Sequence, residues 1–406
     1  MESTPKHLPE NLLMKIFLPL STKTLLRSRC VCKLWDEVIN NKFFIKSHYK
    51  HHMMFSLLDT NKYLLIGSGT SYLTALVDAE SYNHIFESHE YDLNNICGRN
   101  LANYSLEAYG FCNGLICLSH AKQDLYPDYP IYLWNPVIRK AKKLPPVDID
   151  LEYIDHSYLC FGYHDDDYKV INMVPLSKVY NVYVYSLSAN SWKFLKFVKD
   201  SDHDDDRSNT GNPMARFVNG VAYFKKKDEI VSFELTSDII RKIDLPDDLV
   251  PNYNGFRMEE YRESLAIVQN KSDNVVIWVL RVSHNSVLWD KKDVFELTME
   301  YQYGFRAMGF MNNDKLVLKR SNHGSSLGSK YFLYNVENGF SQPFLTPEKV
   351  DVSGHNNDCL GRIYELTESL VLLDETSTPC KKIGRCSADK QNQKLGNTKR
   401  YSWKKT

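Results

Sequence analysis

No stretch of this 406-residue sequence approaches the ~20 consecutive apolar residues that a helix needs to cross a bilayer, so no membrane-spanning helix is expected. The opening MESTPKHLPENLLMKIF contains acidic residues and lacks a long apolar core, and it does not read as a secretory signal. Net charge is missing as well, because fifty basic residues balance fifty acidic ones. That balance leaves no general field to draw in nucleic acid, and only a local patch could do so. Cysteine is sparse and unpatterned. The nine residues Cys30, Cys32, Cys97, Cys112, Cys117, Cys160, Cys359, Cys380 and Cys386 are odd in number and irregular in spacing, with no CxxC pair. A structural zinc site is therefore not expected, nor any other cofactor. The thiols read as the reduced cysteines of a cytoplasmic or nuclear protein. Cys30 and Cys32 fall on a predicted helix, where a spacing of two points them to different faces.

Aromatic residues, by contrast, are plentiful. With 26 Tyr and 19 Phe in a 43% hydrophobic chain, the composition is globular and leans toward β-structure, because large flat side chains suit a pleated surface. The length exceeds what one compact domain usually needs.

Two hydrophobic periods divide the chain. Residues 8–47 repeat with a helical period. Pro9 suits a first turn, and Leu12, Leu13, Ile16 and Phe17 make one apolar stripe that Pro19 ends. Ser21 or Thr22 can cap a second helix carrying Leu25 and Leu26. A third carries Val31, Leu34, Trp35, Val38 and Ile39 and stops near Asn40-Asn41. Three helices this short bury too little surface to stand alone. They need the following domain or a partner, and the stripe from Leu8 to Phe17 has more apolar surface than they can cover among themselves.

From about residue 53 the period changes to two. Apolar runs such as MMFSLL, KYLLI, GLICLS, IYLWN, YKVINMV, VYVYSL, IVSFEL, VVIWVL and YFLYNV alternate with Gly, Asn, Asp, Ser and Pro turns. Several close on an aromatic residue, a polar turn and a basic or apolar segment: IYLWNPVIRKAKKLP, VYVYSLSANSWKFL, IVSFELTSDIIRKIDLP and YFLYNVENGFSQPFL. The anchors Trp134, Tyr185, Phe233, Trp278 and Tyr334 recur at intervals of 45 to 56 residues, and YLTALVDAESYNHIF (72–86) reads as an earlier copy. A period near ~50 residues is that of kelch-like propeller blades, and six copies would fill residues 53–373. One blade cannot bury both of its faces, whereas a closed ring can. The expected fold is thus α+β and multidomain: three short helices over residues 1–50, an all-β, six-bladed propeller-like domain over 53–375, and a basic tail over 379–406 whose composition favours disorder.

LPENLLMKIFLPLSTKTLLRSRCVCKLWDEVI resembles the F-box, specifically that of plant proteins with a C-terminal F-box-associated domain. The matching places are Leu8-Pro9, Leu12-Leu13, Lys23 to Arg27, and Cys30 to Trp35. GFCNGLICLS, LWNPVIRKAKKLP, FGYHDDDYKVINMV and VYVYSLSANSWK look like the associated domain. The resemblance departs at Pro19, Ser21 and Ser28, which would shift the first interhelical turn. It implies a non-catalytic substrate receptor of a ubiquitin ligase, in which the F-box binds a Skp-family adaptor and, through it, a cullin. A β-domain of this kind selects an unidentified protein target. Pollen S-locus F-box proteins, which recognise stylar ribonucleases, are one branch with this layout. The implied adaptor-binding residues are Leu8, Pro9, Leu12, Leu13, Ile16, Phe17, Leu25, Leu26, Val31 and Trp35, divided between core and interface, with Trp35 as core anchor. The competing reading is a scaffold whose degenerate F-box never enters a ligase.

Three other motifs have plainer readings. Gly324-Ser325-Ser326-Leu327-Gly328 matches the GxSxG elbow of hydrolases literally, but that elbow needs a strand before it and a helix after it, and YFLYNV follows here. Residues 200–211 begin like a calcium loop, yet place Asp205 where Gly is required and Gly211 where Glu is required. Asp165, Asp166 and Asp167 read as a hairpin turn.

Overall fold

Helical structure gives way to strands at residue 61, later than the sequence period suggests. A computed structural model describes residues 8–56, 61–68, 71–78, 84–92, 106–120, 130–147, 157–176, 178–199, 214–226, 229–249, 256–271, 274–283, 286–296, 305–311, 315–320, 330–339, 341–344, 363–373 and 378–379. The basic tail beyond 379, the acidic segment 200–206 and Ser326 lie outside the described residues.

There are four N-terminal helices, not three. α1 (Glu10–Phe17) has Pro9 at its N-cap and Glu10 and Lys15 placed to complement the helix dipole. α2 (Thr22–Ser28) is capped by Ser21, whose hydroxyl accepts from the Thr24 backbone N–H at 3.4 Å. α3 (Lys33–Asn40) is followed directly by α4 (Lys42–Ser56), started by an Asn41 side chain that accepts from the Phe43 N–H at 2.8 Å. Residues 53–56 of the run MMFSLL, expected as a strand, supply the end of α4. Cys30 and Cys32 lie in the exposed connector between α2 and α3, not within a helix.

The β-domain opens with β1 (Asn61–Ser68), β2 (Ser71–Asp78) and β3 (His84–Asp92). Five four-strand meanders follow. The first comprises β4 (Leu106–Cys112), β5 (Leu115–His120), β6 (Tyr132–Asn135) and β7 (Lys140–Lys143). The second runs β8 (Tyr158–His164), β9 (Asp167–Pro175), β10 (Val179–Ser186) and β11 (Ser191–Val198). Next come β12 (Ala215–Val218), β13 (Val221–Lys225), β14 (Glu229–Glu234) and β15 (Ile239–Asp244). The fourth contains β16 (Phe256–Tyr261), β17 (Ser264–Asn270), β18 (Asn274–Ser283) and β19 (Ser286–Glu296). The fifth is β20 (Phe305–Met311), β21 (Lys315–Arg320), β22 (Lys330–Asn335) and β23 (Ser341–Phe344). β24 (Ile363–Leu366) then returns to pair with β1, and β25 (Thr378–Pro379) pairs with β7.

Six serial blades are therefore not what the chain builds. Five blades are made of consecutive strands, and the remaining sheet is composite, ordered β24-β1-β2-β3. The innermost strands β4, β8, β12, β16, β20 and β24 meet in sequence, and Tyr364 of β24 stacks on Phe111 of β4 at 5.2 Å. Apolar layers fill the spaces between blades; one packs Tyr158, Cys160 and Ile171 against Ala222, Phe224 and Val231. The repeat anchors Trp134, Tyr185, Phe233, Trp278 and Tyr334 all sit on third strands and are buried. First and second strands are joined by two-residue turns: Asn113-Gly114, Asp165-Asp166, Asn219-Gly220 and Arg262-Glu263 have positive φ at both positions, the type I′ geometry that matches strand twist. The hairpin reading of Asp165-Asp166 agrees, with Asp167 opening β9.

Candidate functional site

The helices are mounted on the tight-turn end of the β-domain. A short segment after β24, residues 367–373, lies between the two parts. Leu370 and Leu373 belong to the same buried cluster as Leu13, Phe17, Leu25, Val38, Ile39, Phe44 and Ile45. The Glu368 carboxylate accepts from the Thr22 backbone N–H at 2.6 Å. On the other side the buried Asn135 amide donates to the Ser369 and Val371 carbonyls, both at 2.9 Å, while its oxygen accepts from the Val137 and Ile138 N–H groups. Lys140 Nζ donates to the Leu373 carbonyl at 2.7 Å. Further contacts come from α4: the Tyr49 hydroxyl donates to Asn113 Oδ1 at 2.8 Å, and Lys46 pairs with Asp166 at 2.6 Å.

This mounting splits the apolar stripe of α1. Leu13 and Phe17, 1% and 2% exposed, are sealed inside, with Phe17 edge-on to Trp35 at 5.0 Å. Leu25 is fully buried too. These three are core and cannot dock a partner while the fold is intact, because each fills the cluster shared with Leu370. Leu26 and Trp35 are half-buried against that cluster, so Trp35 is not the most enclosed anchor. The remainder face outward: Leu8 is 51% exposed, Leu12 42%, Ile16 51% and Val31 63%, and Pro9 is exposed beside them in sequence. Leu12 and Ile16, four residues apart, share the outer face of α1. Phe43, Met53 and Met54 on α4 are also exposed. The sequence reading missed Phe43, and it placed both Met residues on a strand. The phase of α4 relative to Ile45 and Phe44 was the available signal.

The departures at Pro19, Ser21 and Ser28 are absorbed locally. Ser21 caps α2, and Ser28 Oγ donates to the Thr24 carbonyl at 3.0 Å. The α1–α2 turn is held from α4, where His48 Nε2 lies 2.8 Å and His52 Nε2 3.2 Å from the Leu20 carbonyl. A carbonyl only accepts, so His48 carries its proton on Nε2 and keeps a bare Nδ1 buried without a partner. Burial, with the nearby His52 and His51, lowers its pKa from 6.5 to about 4. The unfolded chain takes up that proton below about pH 6.5, whereas the folded one resists until about 4. Stability from this group is therefore complete above pH 6.5 and is lost as the pH falls toward 4, by on the order of 3 kcal/mol. His48→Gln should flatten that part of the stability–pH curve in denaturant titrations. Superimposable wild-type and variant curves would contradict this account.

Of the described cysteines, Cys117 and Cys160 are buried, and burial raises both thiol pKa values; Cys112 is pushed up to about 12. Alkylation by iodoacetamide followed by peptide mass mapping should mark Cys30 and Cys32 in the native protein and leave Cys117 and Cys160 unmodified until it unfolds. Among the described residues no helix is long and apolar enough to cross a membrane, and no three His, Cys, Asp or Glu side chains gather as metal ligands would. Ser326 falls in the chain between β21 and β22, which pair as antiparallel neighbours, and is itself outside the described residues.

Comparison with known proteins agrees with this layout. The pattern of the F-box associated beta propeller domain matches residues 73–342, and an F-box-like pattern matches residues 6–51. The chain belongs to the F-box associated beta propeller family. F-box protein CPR1 from Arabidopsis thaliana is 31% identical over 210 residues, 48% of this chain and 46% of that protein. The F-box/kelch-repeat protein At3g23880 from the same plant is 23% identical over 71% of this chain and 79% of its own length. Another Arabidopsis F-box protein, 27% identical, is covered over 61% of its length. Among solved structures, the WD40 domain of SCAP from fission yeast aligns at 10% identity over 70% of this chain and 72% of that one, with a TM-score of 0.33.

Proposed function

We propose that this F-box protein is the substrate-recognition subunit of a Skp–cullin–F-box ubiquitin ligase. The observation that supports this most is the unpaired apolar edge of the F-box: Leu8, Leu12, Ile16 and Val31 stay outside a core that is already complete without them. A half-exposed Leu or Ile that becomes covered contributes about 1 kcal/mol, so a partner that seals this edge gains several. The chain itself performs no chemistry in this reading. The adaptor binds the F-box, the cullin brings a ubiquitin-charged enzyme, and target lysines react because they are held nearby at high effective concentration. The strap of residues 367–373 makes this physical, since it fixes the F-box to the β-domain and with it the orientation of a captured target. Because the F-box occupies the tight-turn end, the target is to be sought at the opposite end of the ring. The working compartment is the cytoplasm or nucleus, where the exposed Cys30 and Cys32 stay reduced.

The test is reconstitution. The full chain co-expressed with a plant Skp-family adaptor should elute as a one-to-one complex and recruit a cullin. A well-folded chain that elutes alone would favour the scaffold reading.

A further inference from the structure

A cavity of about 240 Å³ lies where α4 meets the second blade, and nothing in the ligase reading uses it. Three sources build it: Lys42, Ile45, Lys46 and Tyr49 of α4; Tyr163, Asp166 to Tyr168 and Leu187-Ser188 of the blade; and Val371-Leu372 of the strap. Its floor is aliphatic and its walls are tyrosine. Two of those tyrosines are fixed through one residue, since the Tyr49 hydroxyl donates to Asn113 Oδ1 and the Tyr168 hydroxyl to the Asn113 carbonyl at 3.0 Å. The pocket is thus preformed, and no ring must move to open it.

Its charges are unequally committed. The Asp167 carboxylate accepts from Lys169 Nζ at 2.8 Å, the Ser186 hydroxyl at 2.5 Å, and the Ser188 N–H and hydroxyl, both at 2.9 Å. Asp166 accepts from Lys46 and, at 3.3 Å, from the Tyr163 hydroxyl. Neither carboxylate has a strong claim left for a cationic ligand. Lys42, exposed at the mouth, pairs with no acidic group among the described residues. The Tyr163 phenol, raised to about 12 by burial and the neighbouring carboxylates, stays protonated, with its one proton directed to Asp166. An apolar floor, aromatic walls and one uncommitted cation at the rim select an amphipathic anion.

From this arrangement we infer that the junction cavity binds a small organic acid, with its aryl or branched apolar body on Leu187, Val371 and Leu372 and its carboxylate on Lys42. Because the walls come from the F-box, the strap and the blade together, an occupant cross-links them and raises the stability of the assembled chain. The size suits a ligand below the usual drug-sized range of roughly 300–1,000 Å³.

Isothermal titration calorimetry on the full chain tests this with 3-phenylpropionate as probe and 3-phenylpropylamine as the charge-reversed control. Saturable uptake of the acid, and at least about ten-fold weaker uptake of the amine, is expected. Leu187→Trp, which fills the cavity, should abolish uptake, and Lys42→Glu, an exposed change that leaves the core alone, should weaken it about ten-fold. A chain carrying Leu12→Glu and Ile16→Glu should bind the acid normally, so failure of adaptor docking and failure of this site are distinguishable. No uptake by the wild type, equal uptake of acid and amine, or uptake indifferent to Lys42→Glu would overturn the assignment.

Discussion

Leu12→Glu combined with Ile16→Glu is expected to remove adaptor binding while leaving the melting temperature within a few degrees of wild type. Both side chains lie on the outer face of α1, so replacing them costs the isolated chain little, as surface changes away from special features usually do. In a complex the same positions would bury two unpaired carboxylates. That desolvation, several kcal/mol per ion, outweighs the roughly 1 kcal/mol each apolar side chain supplies, and affinity should drop by at least ~100-fold. Leu13→Glu is the informative contrast. It places a charge in the cluster of Phe17, Leu25 and Leu370, so it should unfold the helices, and any loss of binding would report on folding alone. Pull-down with purified adaptor, paired with circular dichroism melts of each variant, separates the two effects. Undiminished pull-down by the outer-face double variant would mean that the adaptor docks elsewhere or not at all.

Leu370→Ala should destabilise the protein by about 2–5 kcal/mol, the range for emptying a fully buried leucine site. Its location makes the effect diagnostic. Leu370 closes the core of the helices, yet it sits on the segment that follows β24, the strand that completes the composite sheet. Asn135→Leu attacks the same junction from the blade side. It leaves the Ser369 and Val371 carbonyls without their donor and frees the turn that Asn135 Oδ1 organises; each orphaned buried group costs about 1–3 kcal/mol. Both variants should raise amide hydrogen exchange throughout α1 to α3 by more than about ten-fold at 2 kcal/mol, although Asn135 lies far from those helices in sequence. Exchange that rose only in β6 and the 367–373 segment would show that the helices hold together without the strap.

How much of this was legible beforehand depended on how each segment is buried. Every β run picked out by apolar content, from KYLLI to YFLYNV, proved to be a second or third strand of its sheet. Those strands are covered on both faces by neighbouring blades, which demands continuous apolar residues. The outer strands escaped notice because most of their side chains reach water. β7 is KAKK and β15 is IIRKID, patterns that read as turn or helix when seen alone. Residues 53–56 of the run MMFSLL misled for the converse reason: at the end of a helix with an exposed side, Met53 and Met54 imitate a strand. The blade count was overestimated because an equal division of the chain ignores closure. β1 to β3 supply three strands, and the fourth is borrowed from residues 363–366.

Local chemistry in the sequence determined the helix caps at Pro9 and Ser21, the two-residue turns at Asn113-Gly114 and Asn219-Gly220, and the aromatic repeat from Trp134 to Tyr334 that a ring of sheets buries. Which half of the α1 stripe is core and which is free surface was decided only in three dimensions. That choice depends on Leu370 and Leu373, more than 350 residues away, reaching the helices through a strand that had first to find β1. Periodicity shows that a face is apolar. It carries no information about what arrives from the far end of the chain to cover it.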